Sequence, residues 1–342
     1  MKKNKIAFLV LFFFIKLTIS FAQIDTAFWF ACPWVTPDHA ARNPIIAHIS
    51  TFGTSATIRL RQPAAPLAYK YDTTINIPVN TTFNYTFWKY ATAVGPPSIA
   101  TPVRGFDSLE VRPANTVLPY GLYFSSTANV SIVYDVVTTG NNPETFSLKG
   151  QNGLGTEFVC PAQTTWTNQT IGNLANTPST INQPKQQINI VGSKPNTVVW
   201  ITPRCPTVGH PIANITYSIL LVNAGDAYTI ENSVQATNIP GNNLSGTIVV
   251  SNKPISVTIA DDSVRTPGGG CYDLIGDQIV PVDIVGTNYI VNKGTLNAGS
   301  LEGIYIVATQ NFTSIKITDL AITTTTLNKG DTYFYNITNP LT

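Results

Sequence analysis

Val, Ile, Thr, Tyr and Phe alternate with polar residues along most of the chain, in short runs bounded by Gly, Pro and Asn. A period of two places alternate side chains on opposite faces of an extended strand, and Gly, Pro and Asn supply the turns between strands. No segment carries an apolar stripe at 3.6-residue spacing. The pattern predicts an all-β fold.

The strand runs recur. A Thr-led aromatic strand reads Thr26-Ala27-Phe28-Trp29-Phe30, Thr156-Glu157-Phe158-Val159-Cys160 and Thr287-Asn288-Tyr289-Ile290-Val291, with the threonines 130 and 131 residues apart. A second block is read as a hairpin: Ile46-Ala47-His48-Ile49 into Ala56-Thr57-Ile58, Ile188-Asn189-Ile190-Val191 into Thr197-Val198-Val199, and Tyr305-Ile306-Val307 into Ser314-Ile315-Lys316-Ile317. In a third block a Tyr follows an Asn by five residues: Asn80 and Tyr85, Asn223 and Tyr228, Asn328 and Tyr333. A fourth pairing, Gly121 with Ile132 and Gly246 with Val257, occurs twice. Self-similarity at this spacing marks a repeat architecture. The expected divisions are a first β unit over 23–155, a second over 156–286 and a third, cut short, over 287–342. Each unit admits one Greek-key sandwich or two propeller blades. The lack of a Pro/Ser-rich linker favours a propeller-like continuous repeat over tandem sandwiches. Residues 247–251 and 254–258 are read as a hairpin broken at Asn252-Lys253, and Asn223-Ala224-Gly225-Asp226 and Asn328-Lys329-Gly330-Asp331 as tight turns in which Gly takes positive φ.

Residues 1–22 depart from this pattern. Lys2, Lys3 and Lys5 precede ten apolar residues at 6–15, and the segment ends Ser20-Phe21-Ala22. This is the layout of a signal peptide. Ten apolar residues fall short of the roughly 20 needed to span a bilayer, and no later run is longer, so no transmembrane segment is expected. The charge balance of 20 bases and 18 acids, formally +2, becomes 16 and 18 once Lys2, Lys3, Lys5 and Lys16 leave with the peptide. That balance argues against a nucleic-acid partner. Charged residues make up 11% and hydrophobic ones 43%, which excludes a disordered chain and a helical bundle. In an exported chain, Cys32, Cys160, Cys205 and Cys271 predict two disulfides with three possible connectivities. Cys205 and Cys271 fall in one unit and are paired first; Cys32 and Cys160 pair by elimination.

Several of these blocks carry a resemblance. Gly270-Cys271-Tyr272-Asp273-Leu274-Ile275-Gly276-Asp277-Gln278-Ile279-Val280-Pro281-Val282-Asp283, followed by Gly286-Thr287-Asn288-Tyr289-Ile290, resembles the IgG-Fc-binding protein N-terminal domain family. Leu154-Gly155-Thr156-Glu157-Phe158 is similar to its Leu-Gly-Thr signature, and Ser251-Asn252-Lys253-Pro254-Ile255-Ser256-Val257 to its Ser-x-x-Pro-Val-x-Val motif. The resemblance covers most of residues 24–342. It implies a secreted or cell-surface location, as in animal mucus proteins and in surface proteins of Bacteroidetes-type bacteria. It implies an extracellular protein or glycan ligand, and a longer surface protein of which a C-terminal remainder follows. The IgG binding in the family's name belongs to the animal proteins.

Candidate chemistry is sparse. Asp261, Asp262, Asp273, Asp277 and Asp283 crowd a Gly-rich loop, the oxygen-rich type of site that Ca²⁺ takes; the alternative is that they satisfy turn backbone. No cofactor is otherwise expected. Phe83, Tyr85 and Phe87 alternate onto one strand face, read as core, and Trp88 and Tyr90 onto the other, a platform for stacking on a ligand. Eight Asn-x-Ser/Thr sequons are read as by-products of an Asn/Thr-rich strand composition. His39, His48 and His210 form no metal triad in sequence. The leading expectation is a non-enzymatic binding or adhesion module. Its rivals are a glycan hydrolase using Asp262 and Asp277 as paired carboxylates, and a passive stalk.

Overall fold

The computed structural model describes residues 23–35, 45–66, 71–87, 109–136, 144–168, 183–265, 272–294 and 302–337. The fold is all-β, as the alternation predicts. The first sheet contains β1 (Asp25–Phe30), β2 (Ile45–Thr51), β3 (Ala56–Arg61), β4 (Asp72–Ile77), β5 (Thr82–Phe87), β7 (Leu122–Val136) and β8 (Glu144–Ser147). The short β6 (Val117–Leu118) belongs to the second sheet. The rest of that sheet is β9 (Leu154–Cys160), β10 (Thr167–Asn168), β11 (Gln186–Gly192), β12 (Thr197–Thr202), β13 (Tyr217–Leu221), β14 (Ala227–Glu231), β15 (Thr247–Arg265) and β16 (Tyr272–Ile279). Two separate two-stranded sheets follow: β17 (Gly303–Val307) with β20 (Thr332–Asn336), and β18 (Thr313–Thr318) with β19 (Ile322–Leu327).

One long strand organises each large sheet. The first half of β7 lies between β3 and β1, with Leu60 and Phe28 both opposite Phe124. Its second half lies between β2 and β8, with Ala47 and Phe146 both opposite Tyr134. β15 repeats the plan. Its first half lies between β12 and β9, its second between β11 and β16. All these pairings are antiparallel. The strands on both halves of β7 point alternate side chains at one core that includes Phe28, Ile49, Leu60, Ile77, Phe87, Phe124 and Ile132. The second core gathers Phe158, Ile190, Val199, Ile201, Tyr228, Val249 and Val257.

Three expectations are corrected here. Residues 247–258 do not form a hairpin but run through one continuous strand, β15. No residue from 252 to 254 takes the positive φ that a reversal favours. The chain instead slips register against β9 between Val250 and Ile255, which accommodates Pro254 without a backbone donor. Next, β2 and β3 are not a hairpin. β2 pairs with β5 and β7, and β3 with β4 and β7, so their connection arches from one half of β7 to the other; β11 and β12 do the same on β15. Finally, the third copy of the Thr-led strand, 287–291, is not a strand. β1 and β9 each lie on a long strand, whereas Tyr289 and Ile290 are 73% and 95% exposed.

The two predicted tight turns are present, and they explain how the repeats meet. Gly225 and Gly330 take φ of 94° and 82°. In each turn the Asp carboxylate accepts the backbone N–H of the Asn, Asn223 to Asp226 at 2.7 Å and Asn328 to Asp331 at 3.0 Å. Each turn docks on the preceding repeat at a glycine that begins or precedes a long strand. Gly121 N–H donates to the Gly225 carbonyl at 3.0 Å, and Gly246 stands against Gly330. Arg204–Asp331 at 3.0 Å, Ser245–Thr332 at 2.7 Å and the Lys329–Glu157 pair complete the second joint. The glycine-to-isoleucine and glycine-to-valine pairing seen in the sequence is therefore a docking seat plus the inward residue of the strand that follows.

A side chain at the seat should break the joint. A Cβ on Gly246, whose φ is 83°, would lie 1.9 Å from the Gly330 carbonyl oxygen, whereas Gly241, with φ of 84°, has open space around it. Gly241→Ala should cost the backbone strain alone, about 1–2 kcal/mol. Gly246→Ala should cost more and loosen the contacts of residues 328–332. Equal losses in denaturant unfolding would refute the docking role.

Candidate functional site

The acidic residues do come together, and what they build is a seam. Asp261 and Asp262 lie on β15, and Asp273 and Asp277 on the neighbouring β16. Between Asp261 and Val264 the register shifts, and Ser263 takes φ of 49°. Asp261 is buried and its carboxylate accepts from Gln163 Nε2 at 2.8 Å, Gln186 Nε2 at 2.9 Å and Asn168 Nδ2. Those amides tie β10, β11 and the segment between β9 and β10 to the long strand. Asp277 pairs with Lys149 at 2.9 Å. Glu144, the first residue of β8, is 7% exposed and packs beside Gly276, where a Cβ would come within 2.9 Å of its Oε1. Asp283 sits apart in the short 3-10 helix Val282–Ile284. Reciprocal bonds between Trp34 and Gln187, and one from Gln278 Nε2 to the Trp29 carbonyl, link the same two sheets.

This geometry does not support the Ca²⁺ reading. The oxygens of Asp261 are committed to three amides, and among the described residues no group of three or more His, Cys, Asp or Glu is placed to hold a metal ion. Asp262 is 2% exposed, closed off from any polymeric substrate. Burial drives the carboxyl of Asp261 up to about 6; its amide bonds pull it down and Asp262 pushes it further up. Burial, then Asp262, Asp273, Asp277 and Asp261, holds the Glu144 carboxyl well above the usual range. Burial also raises Asp277, against the pull of Lys149.

Trp88 and Tyr90 lie outside the described residues, as do Cys271 and His39. On β5, Phe87 is buried and Tyr85 packs beside it, with ring centroids 4.9 Å apart. Phe83, read as core, is instead 40% exposed because it lies next to the β4–β5 turn. His48 bridges Asp135 and Asn84 at 2.9 and 2.8 Å, and His210 stacks on Tyr217. Of the sequons, Asn168 is buried and donates to Asp261, a position that admits no glycan.

The outward face of the second sheet offers a surface that the sequence reading passed over. β12 alternates Val199 and Ile201 into the core with Trp200 outward, 41% exposed. Trp200 stands opposite Ser218 on β13 and Val250 on β15, and Leu220, 48% exposed, stands opposite Val198. The loop entering β13 carries Ile212 and Ile215, both exposed, and is tied to the end of β12 by Asn214 N–H to the Pro203 carbonyl at 2.7 Å and by Thr202–Thr216 at 2.8 Å. In Thr197-Val198-Val199-Trp200-Ile201-Thr202 either phase of the period leaves apolar residues on both faces, so alternation alone does not single out Trp200. A large aromatic left in water on a rigid sheet is an uncompensated cost, and such patches mark interaction sites.

The predicted disulfides are not shown among the described residues, and Cys271 lies outside them. Cys32, Cys160 and Cys205 are buried free thiols. Cys32 belongs to the first core and Cys160 to the second, so their side chains do not meet. Burial pushes the Cys205 thiol up to about 12 and raises the other two as well, so the described thiols are poor nucleophiles.

The repeated β scaffold thus joins a seam of acids, Asp261 and Asp262 among them buried, to an exposed apolar sheet face. The family described as IgGFc binding protein matches residues 144–342, and the chain belongs to that family. The match runs from the start of β8 through all of β9–β20; the resemblance expected over residues 24–143 is not part of it. No curated protein and no solved structure matches the chain. Among the described residues no helix is long and apolar enough to cross a membrane.

The carboxyls of the seam fix the sign of a pH dependence. A carboxyl raised in the folded state takes up protons more readily there than in the unfolded chain, so its contribution is full below the ordinary carboxyl pKa and is lost as pH rises through the folded value. For Asp261 the window runs from 3.8 to about 6, worth about 3 kcal/mol. The unfolding temperature should be higher at pH 5 than at pH 7.5. Hydrogen bonds to Asp135 and Asn84 raise His48 despite its burial, in the same sense, so the comparison uses Glu144→Gln: it should stabilise the protein at pH 7.5 and flatten the profile. An unchanged profile in the variant would contradict the seam's role.

Proposed function

We propose that the chain is an exported, non-enzymatic module that binds an extracellular protein, in the manner of an adhesin at the cell surface, through the outward face of β12, β13 and the first half of β15. The single observation that carries this reading is the exposed Trp200, flanked by Leu220 and by the loop with Ile212 and Ile215. Protein interfaces concentrate their energy in aromatic anchors surrounded by apolar neighbours. A sheet bonded on both sides holds such an anchor still, so little order has to be gained on binding. Membership of the IgGFc binding protein family supports an extracellular protein ligand. The buried position of Asp262 argues against the glycan-hydrolase alternative, since a hydrolytic carboxylate must reach its substrate.

An array of immunoglobulin Fc, matrix proteins and mucin glycans, read beside a glycosidase screen on the same sample, tests this. Saturable binding to a protein, weakened at least about tenfold by Trp200→Ala and without turnover, is the expected result. Binding indifferent to both Trp200→Ala and Leu220→Ala would reject the assigned face. Glycan turnover abolished by Asp277→Asn would reject the binding reading itself.

A further inference from the structure

We infer that the groove at the joint between the second sheet and the turn at 328–332 is a binding site for a neutral saccharide of one or two rings. The groove holds about 530 Å³, within the range of small-molecule sites. Arg204, Asn214, Asn243 and Ser245 form one wall, and Asp331 and Thr332 the other. Both walls consist of described residues.

The two joints between repeats match position by position. Leu60 opposite Phe124 corresponds to Ile201 opposite Val249, the seat Gly121 to Gly246, and the turn glycine Gly225 to Gly330. Counted from these, Arg204 stands where the first joint has Pro63, Asn243 where it has Leu118, Ser245 where it has Tyr120, and Thr332 where it has Ala227. In the first joint these places are apolar or aromatic, and they shut it. Pro63 lies 3.0 Å from where a Cβ on Gly225 would stand. Ala227 is buried with Val111 and Val191, and Leu118 and Tyr120 pack on that cluster. Leu118 also pairs with Ala227 in the sheet. In the second joint β20 pairs with β17 alone among the described residues, and Asn243 and Thr332 line the groove instead. Docking of one repeat on the next is thus served by apolar residues. Four polar ones at the matched places, set around open space, serve a ligand.

The ligand's chemistry follows from what these groups have left to offer. Arg204 pairs with Asp331 at 3.0 Å, which balances the charge and leaves other N–H groups of a five-donor guanidinium. Asn243 donates to the Thr237 carbonyl at 3.2 Å and keeps its side-chain oxygen as an acceptor. The side-chain amide of Asn214 has no partner among the described residues, and its loop is fixed by the Asn214 N–H on the Pro203 carbonyl at 2.7 Å. Gly241, with open space around it, lets a ligand come close to the backbone. Neighbouring donors and acceptors on planar groups suit vicinal hydroxyls, each of which both donates and accepts. An anion would meet a guanidinium already neutralised by Asp331, and a cation would meet Arg204.

Saturation-transfer NMR on the full chain is the test, with galactose, mannose, fucose, N-acetylglucosamine and N-acetylgalactosamine as neutral probes and N-acetylneuraminic acid as the charged control. At least one neutral probe should bind saturably. Asn214→Ala, on an exposed loop, should weaken that binding by about three- to tenfold. Asn243→Leu, which installs the first joint's residue, should weaken it at least as much while residues 328–332 stay protected from hydrogen exchange. Trp200→Ala should leave it unchanged, so the groove and the Trp200 face can fail separately. The inference is overturned if no neutral probe binds, if the charged control alone binds, if Asn214→Ala and Asn243→Leu both leave the affinity unchanged, or if Trp200→Ala removes the binding.

Discussion

A backbone strand carries hydrogen-bonding groups along both edges, and in this protein β7 and β15 use both edges along both of their halves. That sharing is the constraint on which the rest depends. Four strands arranged as two pairs would each leave an edge and an apolar face in water. One strand of 15 or 19 residues, bent part-way, satisfies all four inner edges and brings both halves around one core. The bend is built into the sequence: Ser126–Ala128 contacts mark it in β7, and the slip at Asn252-Lys253-Pro254 marks it in β15. Neighbouring repeats then lock through a turn whose Gly and Asp are required by the closeness of approach, at Gly121 with Gly225 and at Gly246 with Gly330.

How much of this was legible in the sequence follows from what period-two patterns contain. Alternation gives strands, so the all-β fold and the repeat spacing could be read directly, and so could the turns, because Asn-x-Gly-Asp states its own backbone conformation. Pairing is not in the pattern. β2 and β3 are adjacent in sequence and separated by a short loop, which reads as a hairpin, yet each prefers the long strand that arrives some 70 residues later in the chain. The Asn252-Lys253-Pro254 break reads as a reversal for the same local reason. Cysteine count likewise carries no distances, and two thiols in different cores cannot bond.

The candidate site was legible only in part. Asp261, Asp262, Asp273 and Asp277 were found together, but their role depends on Gln163, Gln186 and Asn168, amides scattered over the chain that become ligands for a buried carboxylate only in the folded state. Trp200 was hidden inside a strand that is apolar on both faces, where sequence cannot say which face another layer covers. The division of labour that emerges is physical. Charge is sparse, and the buried Asp261 is spent on tying strands of the second sheet together, whereas apolar side chains of that sheet are left facing solvent. A rigid sheet with an uncovered aromatic is suited to recognition.

The shared long strand makes each large sheet one cooperative body. Native-state hydrogen exchange on the full chain tests it most directly. Amides in both halves of β15, and in both halves of β7, should open together with one free energy and exchange slowest, while β17–β20 exchange fastest among the strands. Halves of β15 that open independently, or a third group of strands as protected as the first two, would contradict it.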